Sequence, residues 1–221
     1  MKYFWKGILA GVSISIGGTI FLKVGGIAGT ILFSIGLIAV VSLGLNLFTG
    51  KSQFVWGMPR VKQTDVNTYG WLLGILALNF CGCMLMAVLM GSAEIREAAT
   101  TIIDKRLLSP FWKNGLLAIG CGYLMTLAVQ GASRKNWLPL LFGVPAFICC
   151  GFPHCVADAY YMCCLPKEYI LGHIGELTSF YAAIVIGNFL GCNAYRLTSS
   201  AETSGRTAVS EEKETMRKEI F

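Results

Sequence analysis

A membrane hydrocarbon core about 30 Å thick is crossed by a helix of roughly 20 mostly apolar residues. Six stretches of this chain meet that requirement: 7–22, 24–45 with an extension to 58, 69–91, 114–133, 137–165 and 177–195. Only 14% of the residues are charged and 55% are hydrophobic, against about 25% charged in an ordinary soluble domain. The 26 glycines are better tolerated in membrane helices than in soluble ones. A soluble enzyme, a disordered chain and a collagen-like rod are excluded. The net charge of +6 comes from 18 Lys and Arg that lie between the apolar runs and in the tail, not in one basic stripe, so no nucleic-acid partner is expected. The reading is an all-α, polytopic membrane protein with the lipid bilayer as its surroundings.

Six spans put both termini on one side. With that side inside, 12 basic residues fall inside and six outside, which follows the positive-inside tendency and predicts cytoplasmic termini in a cell membrane. Residues 1–198 form the transmembrane domain, and 199–221 read as a charged cytoplasmic tail. None of the nine cysteines sits at zinc spacing, and most lie inside spans, where a thiol packs as a small hydrophobe. No GxSxG elbow, HExxH pair or glycine-rich phosphate loop is present. Neither an enzyme nor a cofactor is expected.

Two of the spans are interrupted. Gly44-Leu45-Asn46-Leu47-Phe48-Thr49-Gly50-Lys51 breaks the second, and Cys150-Gly151-Phe152-Pro153-His154 breaks the fifth. Irregular backbone at membrane depth survives only where protein or a water-filled cavity covers it. Breaks in corresponding helices of two three-helix halves are a pointer to a transport site. The division predicts inverted repeats over about 1–92 and 105–198. Asn79-Phe80-Cys81-Gly82-Cys83 echoes Asn188-Phe189-Leu190-Gly191-Cys192, with Gly82 and Gly191 as close-packing positions. His154, an ionisable side chain at mid-membrane, marks a pathway or proton relay. Asp158, one helical turn later, is a candidate partner for it. Thr49 either donates to a passing anion or caps the half-helix that follows. Asn79 and Asn188 either satisfy carbonyls freed by the breaks or line a pore.

At these residues the chain resembles the formate/nitrite transporter family over nearly all of 1–196. The resemblance rests on Leu47-Phe48-Thr49-Gly50 and on Gly151-Phe152-x-His154-x-Val156-Ala157. Leu124-x-x-Leu127-Ala128-Val129 and Gly187-Asn188-x-x-Gly191 support it. It implies a homopentamer of aquaporin-like protomers, each with its own pore. It also implies constrictions at Phe33 and Leu37 on one side and at Phe147 on the other. Thr49 becomes the loop threonine, His154 the central histidine and Asn188 a pore asparagine. Arg106, at the start of the fourth span, and Lys105 beside it become the basic residues of an anion vestibule.

Three positions depart from the family pattern: Pro153 replaces an acid, Asp158 an asparagine, and Gly122 an asparagine. The expected function is passage of small monovalent anions with protons. Formate leads, and nitrite, hydrosulfide, acetate and lactate remain open. Apolar rings would strip water from the anion, and a proton gained at or near His154 would let it cross as a neutral acid. The alternative is a non-conducting sensor or scaffold acting through the tail.

Overall fold

The computed structural model describes residues 2–56 and 66–196, and every regular element among them is helical. In order these are α1 (Lys2–Val24), α2 (Gly26–Ser42), α3 (Phe48–Ser52), α4 (Val66–Met90), α5 (Ala93–Leu107), α6 (Phe111–Ser133), α7 (Leu138–Cys149), α8 (Cys155–Cys164), α9 (Lys167–Gly172) and α10 (Ile174–Asn193). Four of them, α1, α4, α6 and α10, are long and apolar enough to cross a membrane. The second and fifth expected spans are each two shorter helices in series, α2 with α3 and α7 with α8. The tail from 199, and the last two residues of the second segment's extension, 57 and 58, lie outside the described residues.

Both breaks start where a glycine takes a left-handed backbone that side chains disfavour. Gly44 has φ 57° and Gly151 φ 68°, conformations open to a residue without a Cβ. The first break is Leu43–Leu47, so α3 restarts at Phe48 and the Leu47-Phe48-Thr49-Gly50 motif sits on its first turn instead of in the gap. The second is Cys150–His154, where Pro153 supplies no N–H and the helix restarts at Cys155.

Backbones meet closely at Gly82 and Gly191. A Cβ on Gly82 would lie 2.2 Å from the Ile8 carbonyl oxygen, and one on Gly191 would lie 2.0 Å from that of Ile119. So α4 crosses α1 as α10 crosses α6, each through a glycine contact that no larger residue permits.

One helix was not expected. Residues 93–107, read from sequence as a connection, form α5. Ser92 Oγ accepts from the Ile95 N–H at 3.3 Å, Glu94 stands in the first turn, and Lys105 and Arg106 stand in the last. All three placements favour a helix. Its buried stripe, Ile95, Ala99 and Ile103, repeats every four residues and packs on α8, α1 and α10. Arg106 therefore ends α5; it does not open the fourth span, which begins at Phe111 after Pro110.

Candidate functional site

The two breaks are held by one set of bonds used twice. The first N–H groups of a helix have no intrahelical acceptor, and an asparagine supplies one in each case. Asn79 Oδ1 accepts from the Phe48 N–H at 2.9 Å, and Asn188 Oδ1 accepts from the Cys155 N–H at 2.8 Å. The Asn79 amide donates to the Asn46 carbonyl at 2.9 Å and the Gly7 carbonyl at 2.8 Å. The Asn188 amide donates to Pro153 at 3.0 Å and Ala118 at 2.9 Å. Two thiols complete the match across the centre. Cys83 Sγ donates to the Val156 carbonyl at 3.4 Å, and Cys192 Sγ to the Thr49 carbonyl at 3.3 Å. Each asparagine thus ties backbone groups freed by its break. Both are fully buried.

His154 sits at the N-cap of α8. Its Nδ1 accepts from the Ala157 N–H at 3.2 Å, so that nitrogen carries no proton and the neutral ring is the Nε2–H tautomer. Nε2 lies 3.1 Å from Thr49 Oγ1. The histidine that opens α8 thus meets the threonine on the first turn of α3. Thr49 caps nothing, because the N-cap of α3 is Leu47. A second proton on the imidazole would have to displace the Ala157 N–H from Nδ1.

The imidazole stacks on Phe147, ring centroids 5.9 Å apart at 24°, and Phe147 meets Phe33 edge to face at 6.3 Å. The expectation that Phe33 and Phe147 guard opposite sides is thereby corrected: they form one apolar collar beside His154. Leu37, one turn along α2 from Phe33, is buried at 1% exposure.

A cavity of about 400 Å³ leads to that collar. Phe33, Phe147 and His154 line it, as do Lys105, Arg106, Lys113 and Asp158. Leu37, Leu47, Phe48, Thr49 and Asn188 do not.

Asp158 is not the partner of the imidazole. Its Oδ2 accepts from the backbone N–H of His154 at 2.9 Å, and its Oδ1 from Arg106 Nε at 3.2 Å. Arg106 Nη1 also donates to the Gly151 carbonyl. Arg106 therefore reaches from α5 to both edges of the second break and neutralises the one buried acid beside the cavity, while Lys105 and Lys113 make no ion pair among the described residues.

Sequence reasoning placed Lys113 only among outside charges and passed over Asn114, whose amide donates to the Arg106 carbonyl at 2.8 Å. Their place on the first turn after Pro110 was the available signal.

Comparison with known proteins places this geometry. The family model described as formate/nitrite transporter matches residues 1–198. The formate channel BtFdhC of Bacillus thuringiensis is 25% identical, over 84% of this chain and 80% of that protein. The uncharacterized transporter YrhG of Bacillus subtilis (strain 168) is 27% identical, over 84% and 78%. Among solved structures, a pentameric formate channel with formate bound superposes with a TM-score of 0.78 at 20% identity, covering 91% of this chain and 96% of that one. An FNT family ion channel superposes at 0.77 with 19% identity, covering 92% and 90%. These likenesses establish the fold.

Proposed function

The chain belongs to the formate/nitrite transporter family, and on that footing we propose that it passes small monovalent anions, formate foremost, through a pathway inside each protomer. It is a multi-pass membrane transport protein and not an enzyme. The observation that carries the substrate class is the cavity lined by Lys105 and Lys113, with Arg106 paired to Asp158, and by the Phe33–Phe147 collar and His154. Cations gather the anion, and the collar admits only what has shed its water. The formate channels among the chain's relatives point the same way.

The proton enters with the anion. Held as the Nε2–H tautomer, His154 offers one N–H at the floor of the cavity. An anion displaces Thr49 as the acceptor of that N–H. Desolvation at the collar favours the neutral acid over the anion, so the anion takes its proton from cavity water while the N–H steadies it. Loss of the Nε2 proton from the neutral ring would leave an imidazolate and is disfavoured, so the proton is gained near His154 and not from it.

Five such protomers assemble, as in the pentameric relative. Both termini lie in the cytoplasm, and the repeats over about 1–92 and 105–198 are inverted, a reading supported by the twinned asparagine and cysteine bonds.

Uptake of labelled formate, nitrite, acetate, lactate and hydrosulfide into proteoliposomes tests the proposal. Formate uptake should require the protein, rise with acid and fall at least tenfold in His154→Asn, whose shorter side chain cannot place a donor at the Nε2 position. A wild-type protein that moves none of the five anions would overturn it. In that case the sensor reading gains, with loss of partner binding on deletion of 199–221 as its mark.

A further inference from the structure

The chain has two histidines, and they stand at the two ends of one line of contacts. His173, half-buried where α9 meets α10, stacks on the Tyr169 ring with centroids 4.4 Å apart at 22°. Tyr169 OH donates to Asp104 Oδ1 at 2.5 Å. Asp104 is on α5, two residues before Arg106. Arg106 in turn holds the Gly151 carbonyl and Asp158, and Asp158 accepts from the His154 N–H. A surface side chain is thus joined to the backbone of the central break through α5, the one long helix that the apolar pattern does not account for.

The two imidazoles differ in what a proton costs them. His154 can take one only by giving up the N–H that caps Nδ1. His173 Nδ1 lies 3.0 Å from the Tyr169 carbonyl. A carbonyl only accepts, so Nδ1 already carries the hydrogen there, and Nε2 is the nitrogen left to take a second one. Nε2 has no hydrogen-bond partner among the described residues, so protonation breaks nothing.

We propose that His173 is the proton-sensing end of a latch: its protonation tightens the hold of α9 on α5, and through Arg106 the hold of α5 on the second break. Imidazole is the side chain that changes charge between about pH 5 and 8. The groups around it decide the sign. Asp104 comes from α5 and Glu176 from α10. Lys167 and Glu168 stand with Tyr169 on α9. The end of α8 brings only the neutral thiols of Cys163 and Cys164. A charge on the imidazole lies over the face of the Tyr169 ring, whose hydroxyl donates to the Asp104 carboxylate, so protonation draws α9 and α5 together. The Tyr169 hydroxyl is pushed up to about 12, by burial first and then by its hydrogen bond to the Asp104 carboxylate. It therefore remains a donor to Asp104 throughout the histidine range. The latch is firm when the imidazole is charged and slackens when it is neutral.

The part that concerns flux rests on the transport reading above, while the latch itself does not, and the experiment separates them. Hydrogen exchange of the full-length protein in lipid nanodiscs is followed at about pH 5.5 and pH 7.5, with rates corrected for intrinsic chemistry. Amides in the last two turns of α5 should be protected about twofold to fivefold more in acid. His173→Gln, which keeps a polar side chain but cannot gain charge, should lose that difference. Asp104→Asn, on the other helix, should lose it too. A wild-type protein without the difference, or a His173→Gln protein that retains it, overturns the latch. Formate exchange between equal pH on both sides is the second readout: its component with a histidine-range midpoint should vanish in His173→Gln while the plateau rate stays. Identical profiles in the two proteins overturn the coupling to transport. No formate exchange at any pH in the wild type overturns the transport reading and leaves the latch to the first readout.

Discussion

Asn188→Leu isolates what the second break owes to one side chain. Leucine shares asparagine's branched shape but is larger and cannot hydrogen-bond, so the change removes the bonds and adds some overpacking. Three bonds go: those to the Cys155 N–H at 2.8 Å, the Ala118 carbonyl at 2.9 Å and the Pro153 carbonyl at 3.0 Å. The Ala118 carbonyl lies within α6 and keeps its helical donor. The Cys155 N–H opens α8 and the Pro153 carbonyl lies in the break, so these two are orphaned. Each buried, unpaired group costs about 1–3 kcal/mol. The expected loss is about 2–6 kcal/mol.

Asn79→Leu serves as its twin. The Asn79 bonds, at 2.9, 2.9 and 2.8 Å, match those of Asn188, so the two variants should lose similar stability. Denaturant or thermal unfolding in detergent measures both, and formate uptake per folded protein measures the rest. Uptake by the folded fraction should stay within a few-fold of wild type in each. An Asn188→Leu protein as stable as wild type but unable to conduct would refute the reasoning and return Asn188 to the pathway as a ligand for the solute.

Two further outcomes are expected. Gly191→Ala puts a Cβ 2.0 Å from the Ile119 carbonyl oxygen, a backbone clash that no rotamer relieves. It should cost at least about 1–3 kcal/mol of overpacking, whereas Gly175→Ala, with nothing within 4 Å, should be neutral or slightly stabilising; size-exclusion profiles and melting curves compare them. Asp158→Asn keeps an acceptor for the His154 N–H but uncovers the Arg106 guanidinium. The half-saturating formate concentration should then fall about fivefold, the equivalent of about 1 kcal/mol for one charge at a wet cavity edge, and the gain should shrink in high salt. An unchanged half-saturation would show that the pair at 3.2 Å does not govern anion entry.

The breaks were legible because each puts residues that oppose a helix into an otherwise apolar run. Gly44, Asn46, Gly151, Pro153 and His154 are conspicuous against their neighbours, and the echo of Asn79 in Asn188 followed from the same reading. What each asparagine does was not legible. The choice between pore and tie depends on whether the Phe48 and Cys155 N–H groups point at them, and composition carries no such vector. Phe33 and Phe147 suffered the same limit: one lies on α2, the other on α7, and only the packing of those helices brings the rings to 6.3 Å. The state of His154 was hidden as well. Its reference chemistry suggests a proton carrier, but the nearby Ala157 N–H occupies the nitrogen that would take the second proton.

The missed helix α5 has a different cause, and it bears on how the departures from the family pattern are understood. A search for runs of apolar residues passes over a stretch such as Ala93–Leu107, which carries Glu94, Arg96, Glu97, Asp104, Lys105 and Arg106. Its signals were of another kind: a serine cap, an acid at the start, bases at the end and a stripe repeating every four residues. Without that helix, Asp158 looked like a partner for the imidazole, and Arg106 like a free cation of an anion vestibule. With it, the two form one pair at 3.2 Å, 52 positions apart in the chain. The acid that replaces the family's asparagine caps the His154 N–H, and the arginine cancels the charge this brings. The attraction of anions then passes to Lys105 and Lys113 at the rim of the cavity, while Arg106 acts on the pathway chiefly by fixing the backbone on which His154 stands.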